Sequence, residues 1–212
     1  MMRRAAVALV CVAAVPAVAV TTAPRIRVAA SGDVSIVLPE SILRNDEVRK
    51  QLTSGLTTSF VITTSDRDRN GATLRGAARV DVRYDLWDET FVVEVVHASG
   101  AQPAQTIASF EKLAEWWRTA ATPFVRCPRE AAPESLRVKV DVLPFSAREE
   151  TSAQKWLSKS LDPAASASGH TRRDDPRSSA SEIIDAIIAT SIRRRPILSF
   201  RWTARVETEP AR

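Results

Sequence analysis

Three segments in which apolar and polar residues alternate constrain the fold of this chain more than any other feature. In Ala78–Leu86 every second residue is apolar, and the intervening positions are arginine or aspartate. Leu136–Leu143 and Leu198–Val206 repeat the pattern with other polar residues between their apolar positions. Because successive side chains of a strand point to opposite faces, each segment predicts a strand with one buried and one hydrated face.

The segments around these strands predict further strands. Phe91–His97 follows a polar turn at Trp87–Thr90, so it predicts the return strand of a long antiparallel hairpin. Leu56–Thr64 is rich in the β-branched and aromatic residues that favour strands. Arg25–Leu38 has the same composition and is interrupted by a turn at Ser31–Asp33.

Helices are predicted between the strands. Asn45 followed by two acids is a favourable helix start, and Thr106–Ala121 carries one apolar stripe. Ser146 with Glu149 is a capping box for another helix, and Ile184–Ile192 forms an apolar stripe in the last helix. The chain therefore predicts an α+β fold in which an antiparallel sheet carries helices on one face and is hydrated on the other.

Residues 162–181 differ from the rest of the chain because they contain no aromatic or branched aliphatic side chain. Such a segment buries too little apolar surface to offset an ordering entropy of about 1–2 kcal/mol per residue. We therefore predict a single domain with a long disordered excursion. The chain divides into a signal peptide at 1–19, a main α+β domain at 20–161, a disordered loop at 162–181, and a helix and strand at 182–207 that rejoin the main domain.

The N-terminus has the layout of a secretory signal peptide. Arg3 and Arg4 precede the apolar run Ala5–Val15, and small residues lead to a predicted cleavage after Ala19. We expect an exported protein, periplasmic or extracellular. The alternative is an uncleaved anchor to the cytoplasmic membrane, facing outward, because Ala5–Pro24 is uncharged and about long enough to span a bilayer.

Cleavage changes the charge and the cysteine content. The formal net charge of +5 falls to +3 because Arg3 and Arg4 are lost, an excess too small to indicate a nucleic-acid partner. Cys11 is lost as well, so Cys127 is the only cysteine of the mature chain and no intrachain disulfide forms. We expect its thiol to be buried.

The sequence predicts no metal site and no cofactor. Asp66–Gly71 places oxygen ligands as in the first half of a calcium-binding loop, but Ala77 occupies the position that requires a bidentate glutamate. We expect a hairpin turn there, since Asn70 and Gly71 both tolerate positive φ. Of the two histidines, His97 ends a strand and His170 lies in the predicted excursion.

No catalytic motif is present, so we predict a protein that is not an enzyme. A cluster of carboxylates in the Ala78–His97 hairpin is the remaining candidate for acid–base chemistry, and we expect it to be solvated. Its members are Asp85, Asp88, Glu89 and Glu94.

Two tryptophans at the edges of apolar helical stripes are the candidate ligand or partner surface. Trp117 belongs to the stripe of its helix, whereas Trp116 is turned about 100° away from it. Trp156 lies similarly beside Leu157. Edge tryptophans line ligand grooves and partner surfaces, although they also complete the rim of a core. Arg193–Arg195 after the isoleucine stripe fits an anionic membrane surface, but we expect core packing because a strand follows.

Three segments resemble an uncharacterised family of exported bacterial proteins, a domain of unknown function. They are Gly55–Phe60 after a short helix, Val82–Glu89, and Ser109–Leu113. The resemblance spans about residues 34–161. It implies a location in the cell envelope and no particular activity.

The sequence therefore predicts a non-enzymatic protein of the cell envelope that binds a partner protein or an apolar ligand through its helix-covered side. The expected partner is an envelope protein rather than a nucleic acid, and membrane contact is expected only if the N-terminal helix is retained. The alternatives are a membrane-anchored accessory protein and a carboxylate-dependent hydrolase of envelope polymers.

Overall fold

One large curled sheet organises the chain in a computed structural model that describes residues 22–145 and 180–208. Its strands are β1 (Arg25–Val28), β2 (Asp33–Val37), β3 (Thr58–Arg67), β4 (Thr73–Asp85), β5 (Thr90–His97), β6 (Gly100–Ala101), β7 (Gln105–Ile107), β8 (Thr122–Arg126), β9 (Ser135–Pro144) and β10 (Leu198–Thr208). The α-helices of these residues are α1 (Asp46–Leu52), α2 (Phe110–Thr119) and α3 (Ala180–Arg193). Short 3₁₀ helices lie at Glu40–Ile42 and Arg129–Ala131.

The strand order is β6-β5-β4-β3-β9-β10-β1-β2-β8, and β7 pairs with β5 beside this path. The pairs are antiparallel except β1 and β10, which run parallel with Ile26 opposite Val206. The sheet curls until its edge strand β8 packs across β4. Gly76 permits this approach, because a Cβ there would collide with Phe124 O and Val125 Cβ. The result is a mixed half-barrel.

The concave inside of the half-barrel holds the main core. Inward residues of the sheet such as Phe60 pack with buried residues of α1 and α2, including Leu52 and Trp117. The Phe60 and Trp117 rings meet edge to face, 4.7 Å between centroids. The indole N–H of Trp117 donates to Pro39 O at 3.3 Å, so its one polar atom is satisfied inside the core.

The outer face of the sheet is covered in part by α3. Ile187, which is 3% exposed, packs on Val61, Ala77 and Leu143 in a second, smaller apolar cluster. Three further isoleucines of α3 pack half-buried against this cluster, namely Ile183, Ile184 and Ile188.

The predicted fold class, an antiparallel sheet with helices on one face and water on the other, is wrong. Strands dominate, the sheet is mixed and curled, α1 and α2 pack on its inside, and α3 packs on its outside. The alternating pattern predicts strands but not their neighbours, so the parallel pairing of β1 with β10 carries no local signal. Outward positions are also not uniformly hydrated, because Asp81 and Asp141 are 7% and 0% exposed.

Several individual elements agree with the sequence. The β4–β5 hairpin is confirmed, and Asn45 caps α1 by accepting hydrogen bonds from Glu47 N and Val48 N. The helix predicted over Thr106–Ala121 begins later, at Phe110 after the N-cap Ser109, because β7 takes the preceding residues. The strand β8 was not predicted. The signal peptide, the helix after Ser146 and most of the predicted excursion lie outside the described residues.

Candidate ligand-binding site

A cavity of about 620 Å³ opens on the outer face of the sheet beside α3. Its volume lies within the range of about 300–1,000 Å³ that is typical of ligand pockets. Outward side chains of β3, β4, β9 and β10 line it, together with Ile188 of α3. The polar ones are four cations and three hydroxyls: Arg75, Arg137, Lys139, Arg201, Thr63, Ser65 and Thr203.

Two of the cations are held in place by carboxylates of the sheet. Arg137 donates from Nε and Nη2 to the two Asp66 oxygens, both at 3.3 Å, and its backbone N–H donates to Asp66 Oδ2 at 3.1 Å. Lys139 Nζ lies 2.7 Å from Oδ2 of the buried Asp141. The Arg137 side chain is still 70% exposed and that of Lys139 38% exposed, so both can reach a ligand.

The Arg137 contacts also set the protonation of Asp66. Desolvation alone raises the pKa of this carboxyl, but the hydrogen bonds from Arg137 and from the backbone of Arg67 outweigh it, and the pKa lies below its usual value. Asp66 therefore stays charged well into the acid range. The guanidinium of Arg137 keeps a fixed orientation, with its remaining N–H groups available.

The other two cations are less restrained. Arg75 Nη2 lies 3.5 Å from Asp185 Oδ1 of α3, and both side chains are more than half exposed. Such a pair contributes about 1 kcal/mol or less, so a ligand can displace it. Arg201 lies directly opposite Lys139 in the sheet, and the described residues place no carboxylate within ion-pair distance of it.

A like-charged pair directly opposite on neighbouring antiparallel strands is unfavourable, because its Cβ atoms are about 5 Å apart. Lys139 and Arg201 form such a pair at the wall of the cavity, and the Asp141 carboxylate lies at ion-pair distance from the lysine. An anion placed between them relieves the repulsion. The local electrostatics therefore favour an anionic ligand over an apolar one.

Two serine–aspartate pairs lie on the same outer face of the sheet. Ser199 Oγ donates to Asp141 Oδ1 at 2.6 Å, and Ser59 Oγ donates to Asp81 Oδ1 at 2.6 Å. Burial raises the pKa of Asp81 despite its ion pair with Arg79 at 3.0 Å. Both serine hydroxyls donate to carboxylates, which fixes the orientation of the four side chains.

The tryptophans of the sequence prediction lie elsewhere. Trp117 is buried in the core, as expected. Trp116 is half-buried and lines a shallow groove of about 510 Å³ with Lys112, Glu115 and Thr119. Trp156 lies outside the described residues. The structure therefore separates Trp116 from the basic cavity, and its role in a partner surface stays a prediction.

The carboxylates of the hairpin do not converge on a cavity. Asp85 Oδ1 accepts the backbone N–H groups of Trp87 at 3.0 Å and Asp88 at 3.3 Å, so it closes the β4–β5 turn. The Trp87 and then the Asp88 hydrogen bonds lower the pKa of Asp85, which is the wrong direction for a general acid at neutral pH. Glu94 lies across from Asp81 in the sheet.

The other residues considered for metal binding or catalysis take part in local turns and packing. Asp68 Oδ1 accepts from Asn70 N and Ala72 N, which confirms the predicted turn before β4. His97 ends β5 and contacts Ser99 and Gln102. Cys127 is buried as expected, and burial, with Asp68, raises the pKa of its thiol.

The cavity was not predicted from the sequence, although a signal for it exists. Arg137, Lys139 and Arg201 occupy outward positions of two alternating segments, where basic residues outnumber acidic ones. The pattern does not show that these segments are neighbours. That adjacency, with Arg201 opposite Lys139, is what assembles the site.

Compared with models of protein families, with curated proteins and with solved structures, the chain matches none at a significant level. The resemblance to an exported bacterial family therefore stays a prediction. Among the helices of residues 22–145 and 180–208, none combines the length and the apolar character that a membrane span needs.

Proposed function

We propose that this chain is an exported protein of the bacterial cell envelope that binds an anionic ligand, without transforming it, in the cavity beside α3. The observation that carries the proposal is the opposed pair Lys139 and Arg201 at the cavity wall. Arg75 and Arg137 add two more cations, and three hydroxyls supply neutral donors. Phosphate and carboxylate groups are the ligands that such donors match best.

From the sequence we expect an apolar ligand or a partner protein on the helix-covered side. The cavity lies on the side that α3 covers, yet its charge favours an anion. A partner protein at the Trp116 groove stays a prediction. The hydrolase alternative is less well supported, because Asp85 is committed to a turn and both buried aspartates are bound to cations.

Export rests on the pattern of Arg3 to Ala19. Mass spectrometry of the exported protein distinguishes the two N-terminal models. A chain that starts at Val20 supports cleavage, whereas an intact Met1 supports the membrane-anchored alternative.

Binding is tested by calorimetric titration of the protein with pyrophosphate at low salt. We expect Arg201→Gln to weaken binding about tenfold, which corresponds to about 1.4 kcal/mol, because it removes a cation that no carboxylate of the described residues pairs with. The matched control is Arg126→Gln, an exposed arginine of β8 that pairs with Asp33 away from the cavity. Equal affinities of the two variants, or no binding by the wild type, contradict the proposal.

A further inference from the structure

The basic surface does not end at the cavity. Arg205 is the next outward residue after Thr203 on β10, and its side chain is exposed. Together with three cavity residues it forms a cation track along two neighbouring strands. We define this track as Arg137 and Lys139 of β9 with Arg201 and Arg205 of β10.

The register of β9 and β10 fixes the spacing of the track. Lys139 pairs with Arg201, Arg137 with Thr203, and Ser135 with Arg205. Outward residues of one strand recur about every 6.7 Å. The track therefore places a cation at each of three successive outward positions. The Cα atoms of Arg201 and Arg205 are about 13 Å apart. Because strand side chains stand roughly perpendicular to the sheet, these two cations match two separate anionic groups better than a single one.

The carboxylates along the track leave its outer side open. Asp66 and Asp141 bind Arg137 and Lys139 from within the sheet. Glu207 follows Arg205 on β10 but lies 3.8 Å from Arg27 of β1. The positive surface is therefore bounded at that end of β10, and no acidic side chain of β9 or β10 separates Arg201 from Arg205 on the outer face.

We infer that the ligand is a linear polymer with a phosphate or carboxylate group on each short repeat, and that it lies along the cation track with one group in the cavity. This inference rests on the proposed function. Thr203 lies between Arg201 and Arg205, and Ser135 lies opposite Arg205, so both hydroxyls supply donors to a polar backbone.

The surface is unlike one that binds single-stranded nucleic acid. Such surfaces offer aromatic rings on which bases stack. The outward positions of β9 and β10 carry no aromatic residue. Phe200 and Trp202 of β10 pack half-buried against the inner core, and Trp202 also borders the cavity. The chemistry of the track therefore fits repeated anions without base recognition.

The test compares pyrophosphate, tripolyphosphate and long-chain inorganic polyphosphate, with polyglutamate to distinguish phosphate from carboxylate polymers. We expect the affinity per molecule to rise about tenfold or more from pyrophosphate to the long chain, since more counterions are released. Arg205→Gln should weaken the binding of long-chain polyphosphate severalfold and leave the affinity for pyrophosphate unchanged. Arg126→Gln is the control. Arg201→Gln should weaken the binding of every one of these anions.

The outcomes separate this inference from the proposed function. The polymer ligand is ruled out if pyrophosphate binds tightly and the affinity does not rise with chain length, or if Arg205→Gln binds long-chain polyphosphate like the wild type. Either result leaves a site for a small anion. If no anion binds, the proposed function fails as well. If Arg126→Gln loses as much affinity for long-chain polyphosphate as Arg205→Gln does, a binding track on β9 and β10 is contradicted. Tighter binding of polyglutamate than of polyphosphate with the same number of anionic groups supports a carboxylate polymer.

Discussion

Asp81 and Asp141 are acidic side chains buried on the outer face of the sheet. Each is bound by the basic residue two positions earlier and by a serine of the adjacent strand: Arg79 and Ser59 for Asp81, Lys139 and Ser199 for Asp141. Because desolvation opposes the attraction of a buried ion pair, such pairs add little net stability. They do fix the positions of the cations around them.

Replacing Asp81 tests this balance through the pH dependence of stability. Burial raises its folded-state pKa above the ordinary value of 3.8. The stability it contributes is therefore fully present below the unfolded pKa and is lost as the pH rises through the folded pKa. We expect Asp81→Asn to gain stability relative to wild type as the pH rises from about 3 to 7, measured by urea unfolding at each pH.

The matched control is Asp85→Asn, whose carboxyl has a lowered pKa. Its contribution is present above the unfolded pKa and is lost as the pH falls through the folded pKa, so the wild type should gain stability over this variant as the pH rises. A difference between wild type and Asp81→Asn that stays constant with pH contradicts the assignment.

At the scale of elements, α3 determines whether the outer face carries a cavity or an open surface. Its Ile187 contacts Val61, Ala77 and Leu143, and its Ile188 lines the cavity. An exposed ion pair between Asp185 and Arg75 also joins it to the cavity wall. Since such a pair contributes little, apolar packing is the main interaction that holds α3 on the sheet.

Ile187→Ala is expected to lower the free energy of unfolding by about 2–3 kcal/mol, because it leaves a void in the smaller cluster. The half-buried Ile184→Ala should cost about half as much. Urea unfolding measures both. If Ile187→Ala is as stable as Ile184→Ala, then α3 is not packed on the sheet through this residue.

At the scale of the whole molecule, the curl of the sheet allows one domain to have two apolar clusters. The inside of the half-barrel is filled by α1, α2 and the inward strand residues. The outside receives α3. The contact of β8 with β4 at Gly76 closes the inside, because β8 would otherwise be an open edge.

Gly76→Ala is therefore expected to destabilise the whole fold. Its Cβ would overlap backbone and side-chain atoms of β8, and we expect a loss of about 3 kcal/mol with faster hydrogen exchange in β8. The control is Gly71→Ala, which meets no atom within 4 Å but has φ +83, so it should cost only about 1–2 kcal/mol. Wild-type stability of Gly76→Ala would mean that β8 does not lie over β4.

The candidate site was less predictable from sequence than the elements that carry it. Arg137, Lys139 and Arg201 are correctly predicted as outward residues of strands, since alternation is a local property. Their convergence was not predicted, because 62 residues separate Lys139 from Arg201 in the numbering of the chain. Trp116 was singled out by its place on a helix, and the structure puts it at a different groove.

By itself, the sequence determined most of the strands and helices that the structure describes, where α1 begins, and many of the side chains that fill the core. These properties depend on residues that are neighbours along the chain or one helical turn apart. Only the tertiary structure decided that β1 pairs in parallel with β10, that helices cover both faces, and that Arg201 stands opposite Lys139. These depend on strand order and curvature, which follow from how all the strands bury their apolar faces together. No single segment carries that information.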